Sequence, residues 1–117
     1  MHSDELLQLA QSSLEDLKAR DVQVLDVRKL TSVTDYLLIA SGTSDRHVKS
    51  MAENIVTNMR EAGEKPLGIE GQDAGEWVLI DLNDVIVHVM QPRTRDFYKL
   101  EDLWALGSAP EQGTSAN

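Results

Sequence analysis

The sequence predicts an α/β domain in which helices pack on one mixed β-sheet, and three stretches carry that expectation. The first runs from Gly75 to Met90, where two β-rich segments flank Asn83-Asp84. Asn and Asp tolerate the left-handed backbone of a tight hairpin turn. The second is Tyr36-Leu37-Leu38-Ile39-Ala40, an apolar run without polar alternation. Such a run suits a strand near the sheet centre, covered on both faces. The third is the series Val48, Met51, Ala52, Ile55, Val56 and Met59, which recurs at three and four residues and predicts one face of a helix.

Taken in order, the chain opens with a helix that Ser3 can cap, with Asp4 and Glu5 in its positive first turn and Lys18 and Arg20 near its end. Leu6, Leu7, Ala10, Leu14 and Leu17 give it a single apolar stripe. Asp21 turns the chain into a first strand, Val22 to Val27. A polar connection from Arg28 to Asp35 leads to the apolar strand. That strand ends in Ser41-Gly42-Thr43-Ser44-Asp45, where Thr43 or Ser44 can cap the second helix, and Gly63 supplies its stop. Pro66-Leu67-Gly68-Ile69-Glu70 reads as a short strand, weakened by its glycine and suited to an edge. Gly71 to Gly75 leads into the hairpin. Gln91-Pro92 then breaks the last strand, and Thr94 or Asp96 opens a final helix containing Phe97, Leu100, Leu103 and Trp104, closed by Gly107. The order is α-β-β-α-β-β-β-α, in one domain over residues 1–107. Residues 108–117 are rich in Gly, Ser, Pro and Ala and are expected to form a disordered tail.

With Asn83-Asp84 as the turn, the register opposes Leu82 to Val85, Ile80 to Val87 and Val78 to Val89. Side chains alternate along a strand, so these six aliphatic residues share the face that lies on the helices. Trp77, Leu79, Asp81, Ile86, His88 and Met90 share the other. That second face is either covered by another segment or offered to a partner.

Length and composition bound the function. At 117 residues there is room for one real core. A hydrophobic content of 41% with 26% charged residues describes a soluble globular chain, with no run approaching the roughly 20 apolar residues of a membrane span and no signal-peptide pattern. There is no cysteine, which excludes thiolate chemistry and fits a cytoplasmic setting. The net charge of −9 opposes direct contact with a phosphate backbone. It either keeps the chain soluble or suits a basic partner, such as a protein that itself binds nucleic acid.

Enzymatic signatures are sparse. Ser41-Gly42-Thr43-Ser44 lies between a strand and a helix, where unpaired N–H groups can hold an anion, but it has neither the Walker lysine nor the dinucleotide glycine spacing. Metal-dependent nucleotidyl transfer needs convergent carboxylates. Asp81 and Asp84 diverge at the hairpin end, and Asp26 and Asp35 could meet across the first two strands, although nothing in their spacing requires it. His2, His47 and His88 have no metal-ligand spacing. Neither cofactor nor metal is expected. Arg93-Thr94-Arg95, followed by Phe97 and Tyr98, forms the densest basic cluster, readable as an RNA contact, as a solvated helix start or as a contact to an acidic patch on a partner protein. Trp77, Leu79 and Met90 with Tyr98 form a surface of the residue types that dominate interfaces.

Several of these segments together resemble one family. Asp26-Val27-Arg28 with Thr34-Asp35-Tyr36, Ser41-Gly42-Thr43-Ser44-Asp45-Arg46-His47-Val48, Gly75-Glu76-Trp77-Val78-Leu79-Ile80-Asp81, Val87-His88-Val89-Met90, and Arg93-Thr94-Arg95-Asp96-Phe97-Tyr98 with Leu100 to Trp104 are similar to the ribosomal silencing factors, also called Iojap-like. The match runs in order from about residue 5 to 106. The resemblance implies a nucleotidyltransferase-like fold without catalytic carboxylates, and a protein that is not an enzyme. It implies binding to the large ribosomal subunit through ribosomal protein L-fourteen, which blocks joining of the small subunit and represses translation when nutrients are scarce. Homodimers of the unbound protein are also implied, with little direct nucleic-acid contact. Carried onto this sequence, the partner-binding surface falls on Trp77, Leu79, Met90, Pro92, Tyr98 and Lys99. The alternative from another class is a metal-dependent nucleotidyltransferase or nucleotide-binding regulator using the Gly42 turn.

Overall fold

In the computed structural model, which describes residues 1–103, the Asn83 turn sets the register of the hairpin at residues 77–90. Asn83 takes φ 74°, and its N–H donates to Asp81 Oδ1 at 2.8 Å. Around this turn β4 (Trp77–Asp81) and β5 (Val85–Met90) pair antiparallel, with Val78 opposite Val89 and Ile80 opposite Val87. The remaining elements are α1 (Ser3–Asp16), β1 (Arg20–Asp26), β2 (Tyr36–Ser41), α2 (Asp45–Glu61), β3 (Gly68–Glu70) and α3 (Pro92–Tyr98). The sheet order is β1-β2-β5-β4-β3, antiparallel throughout except for the parallel β2–β5 pair. It is a mixed sheet, and β3 is at one edge, as its glycine suggests.

The aliphatic hairpin face is sealed. Val78, Ile80, Leu82, Val85, Val87 and Val89 pack with Leu6, Ala10 and Leu14 of α1 and with Val48, Met51, Ile55 and Met59 of α2 in one core cluster. Each fully buried Leu, Ile or Met contributes roughly 1.5–3 kcal/mol, so the two helices are held chiefly by this face. Their mutual seam is polar but satisfied. Buried Ser13 donates its hydroxyl to Leu9 O at 2.7 Å, Asn58 Nδ2 donates to Ser13 Oγ at 2.7 Å, and Asn54 Nδ2 donates to Ser13 O at 2.8 Å.

Several boundaries shift from expectation. His2, not Ser3, is the N-cap of α1, because Glu5 reaches back to accept the His2 N–H at 3.0 Å. Asp21 sits within β1 rather than before it, in a left-handed conformation (φ 49°) at an irregularity in the β1–β2 register. Ser44 caps α2, accepting the His47 N–H at 3.1 Å, and Gly63 follows its end at φ 85°. The last helix opens at Pro92, not at Thr94 or Asp96. Proline at the first helical position has no N–H to leave unpaired and its φ is already helical. The helix stops at Lys99, which takes the left-handed conformation at φ 50°, and residues 100–103 are helical again. Trp104, Gly107 and the tail at 108–117 lie outside the described residues.

Candidate docking site

The second hairpin face is built from three strands. Register places Met90 between Ser41 of β2 and Trp77 of β4, and His88 between Ile39 and Leu79. Because α3 follows β5 directly, it folds back across this end of the sheet and is anchored on both sides. On the β2 side the Arg95 guanidinium donates to Ser41 Oγ at 2.9 Å and Asp21 O at 2.6 Å, while its Nε donates to Glu101 Oε2 at 2.7 Å. On the β4 side the Tyr98 ring lies 4.9 Å from the Trp77 ring, tilted by 49°.

This strap divides the six residues assigned to partner binding. Met90 is fully buried, so it cannot touch a partner and instead supports the surface from beneath. The correction has a simple cause: strand alternation shows which face a side chain takes but not what lies over it. Trp77 and Leu79 are half-buried, and Pro92, Tyr98 and Lys99 are exposed. Of these five, Trp77 and Tyr98 are in ring contact, while Pro92 and Lys99 border a hollow with Asp21, Ser41 and Arg95. Arg95 is likewise corrected as a candidate RNA contact, since its guanidinium is spent on Ser41, Asp21 and Glu101.

Two features escaped the sequence. Phe97 is 78% exposed and packs edge-on against Tyr98, with centroids 4.9 Å apart, extending the aromatic patch beyond Trp77. The signal was present: adjacent positions on a helix point in different directions, so Phe97 and Tyr98 cannot both face the sheet squarely. The other is His88, whose Nδ1 accepts the Trp77 indole N–H at 3.0 Å. Burial holds the His88 pKa down at about 4, so the ring is neutral near pH 7, with Nδ1 as acceptor and the proton on Nε2.

The Gly42 turn is differently occupied. Gly42 is needed for close approach, since a Cβ there would stand 2.8 Å from both Val48 Cγ2 and Met51 Cε. The Thr43 N–H, which an anion would want, donates to His47 Nδ1 at 2.9 Å. His47 Nε2 in turn donates to Leu17 O at 2.7 Å, tying this turn to the end of α1. Of the carboxylates, Asp81 caps the hairpin turn and Asp26 pairs with Arg28 at 2.7 Å. Among the described residues no group of three or more His, Asp or Glu side chains is placed to hold a metal ion, and no helix is long and apolar enough to cross a membrane.

A family model described as "Ribosomal silencing factor during starvation" matches residues 1–116. The chain belongs to the ribosomal silencing factor family. It is 43% identical over 116 residues to the ribosomal silencing factor RsfS of Chromobacterium violaceum, covering 99% of this chain and 94% of that one. It is 39% identical over 110 residues to the RsfS of Bacillus subtilis, covering 94% and 92% respectively. A crystal structure of a Chromobacterium violaceum protein superposes with a TM-score of 0.88 at 45% identity, over 90% of this chain and 88% of that one. The silencing factors are regulators of the ribosome, not enzymes, and the mixed sheet with its packed helices is their fold.

Proposed function

We propose that this silencing factor acts in the cytoplasm by binding the large ribosomal subunit through ribosomal protein L-fourteen, and that its bulk there excludes the small subunit and lowers translation under nutrient limitation. The observation that carries this reading is the contact of Trp77 with Tyr98, held in place by the α3 strap, to which the reading adds the accessible Leu79, Pro92 and Lys99. Large aromatic anchors at a rigid site are the usual centre of protein–protein affinity. The chain's charge of −9 suits a basic ribosomal protein and disfavours bare RNA. No chemical step is required, since occupancy of the site is the whole mechanism. When unbound, the protein forms a homodimer.

Co-sedimentation with isolated large subunits tests the reading. Wild type is expected in the pellet at physiological salt and Trp77→Ala in the supernatant, with unchanged circular dichroism. A loss on the order of 2 kcal/mol or more is expected for an aromatic hot spot. Wild type remaining in the supernatant would overturn ribosome binding, and a bound Trp77→Ala would overturn this face as the contact.

A further inference from the structure

We propose that His88 is a positioning residue for docking: it turns the Trp77 indole N–H inward and leaves only the apolar ring for the partner. The inference rests on the docking reading above and deepens it. A tryptophan side chain has a single polar hydrogen, on Nε1. Here that hydrogen goes to His88 Nδ1 at 3.0 Å, an acceptor inside the protein, since His88 is 8% exposed. The indole therefore has no donor left for a partner, although part of the side chain is at the surface.

The same bond fixes the ring. Trp77 is held at its nitrogen by His88, with ring centroids 5.9 Å apart, and braced by Tyr98 at 4.9 Å. A side chain already locked in one rotamer pays less ordering entropy when a partner closes over it. His88 is itself fixed by the sheet, opposite Leu79 on β4 and beside Ile39 on β2. The partner feature that fits this arrangement is an apolar pocket on a protein, wide enough for an indole and lined without a hydrogen-bond acceptor for it. Histidine is suited to the task because its neutral ring offers one acceptor nitrogen at the length needed to reach across from the neighbouring strand.

The test compares His88→Phe, His88→Gln and Trp77→Ala with wild type. Two readouts are taken: affinity for isolated large ribosomal subunits, and the Trp77 indole N–H resonance in the uniformly ¹⁵N-labelled protein. His88→Phe keeps a ring but removes the acceptor, so the indole proton should move upfield and exchange faster, and affinity should fall on the order of 5- to 10-fold. His88→Gln restores an acceptor and should return affinity to within about twofold of wild type. If His88→Phe releases the indole proton yet binds as wild type, the positioning role is wrong, and the partner itself satisfies the N–H. If His88→Gln binds no better than His88→Phe, the acceptor is not what matters, and the inference is again overturned. Trp77→Ala separates the two levels, because undiminished binding by that variant removes the docking face and this inference with it. Should His88→Phe not fold, Trp77→Phe removes the same bond from the donor side, and wild-type affinity in that variant overturns the inference.

Discussion

The ring of Tyr98 lies 4.9 Å from that of Trp77, so the end of α3 and the start of β4, 21 positions apart in the chain, share one surface. Two aromatic rings in this geometry act as a unit, and their separate truncations should not add. In a double-mutant cycle with large-subunit affinity as the readout, Trp77→Ala and Tyr98→Ala are expected to couple by roughly 0.5–1.5 kcal/mol. Strict additivity would show that the two rings do not act as a unit in binding.

Met90 belongs to the protein rather than to the interface. Met90→Ala empties a fully buried site between Trp77 and Ser41 and should cost roughly 2–5 kcal/mol in urea unfolding. Tyr98→Ala, at an exposed position, should cost about 1 kcal/mol or less. Equal stability losses in the two variants would contradict the burial of Met90 beneath the strap.

The low His88 pKa makes a signed prediction for acid. In the native protein the ring protonates only near pH 4, against an ordinary value of 6.5 that the unfolded chain retains. Between those values the unfolded chain binds a proton that the native state does not. The stabilisation is therefore complete above about pH 6.5 and is lost as pH falls toward 4, by roughly 3 kcal/mol in all and about 2 kcal/mol by pH 5. Unfolding free energies of wild type and His88→Gln, compared at pH 7 and pH 5, should converge or cross because the variant lacks this proton. Parallel losses in the two proteins would show that His88 is not the titrating group.

Arg95 anchors α3, and its removal should loosen the strap before it unfolds the domain. Arg95→Ala deletes the bonds to Ser41 Oγ and Asp21 O and leaves the Glu101 carboxylate without its cation, at a cost of roughly 1–3 kcal/mol. Hydrogen exchange should accelerate in residues 92–99 more than in α2. Uniform acceleration across both helices would mean that Arg95 supports the whole fold rather than this one element.

The occupied Thr43 N–H predicts indifference to nucleotides. A ligand bound by the native state must raise its melting temperature, and magnesium with a nucleoside triphosphate is expected to leave it unchanged. A rise of several degrees would reopen the Gly42 turn as an anion site.

What the sequence determined by itself was periodic and local. The hairpin register followed from Asn83-Asp84 and strict alternation, and the helical face of Val48 to Met59 followed from its spacing, because each depends only on neighbours along the chain. The motifs from Asp26 to Trp104 likewise sufficed to indicate the family, since their order and spacing are properties of the chain alone. Tertiary structure decided what lies over the second sheet face. That Met90 is buried while Trp77 stays half-open depends on where α3 crosses, and the crossing is set by Arg95 reaching Ser41 and Asp21, 54 and 74 positions away. The bond from Trp77 to His88 spans two strands with their register and side-chain rotamers settled together. Such contacts leave no periodic trace in the sequence, because they are made between side chains that only the closed sheet and its strap bring within reach.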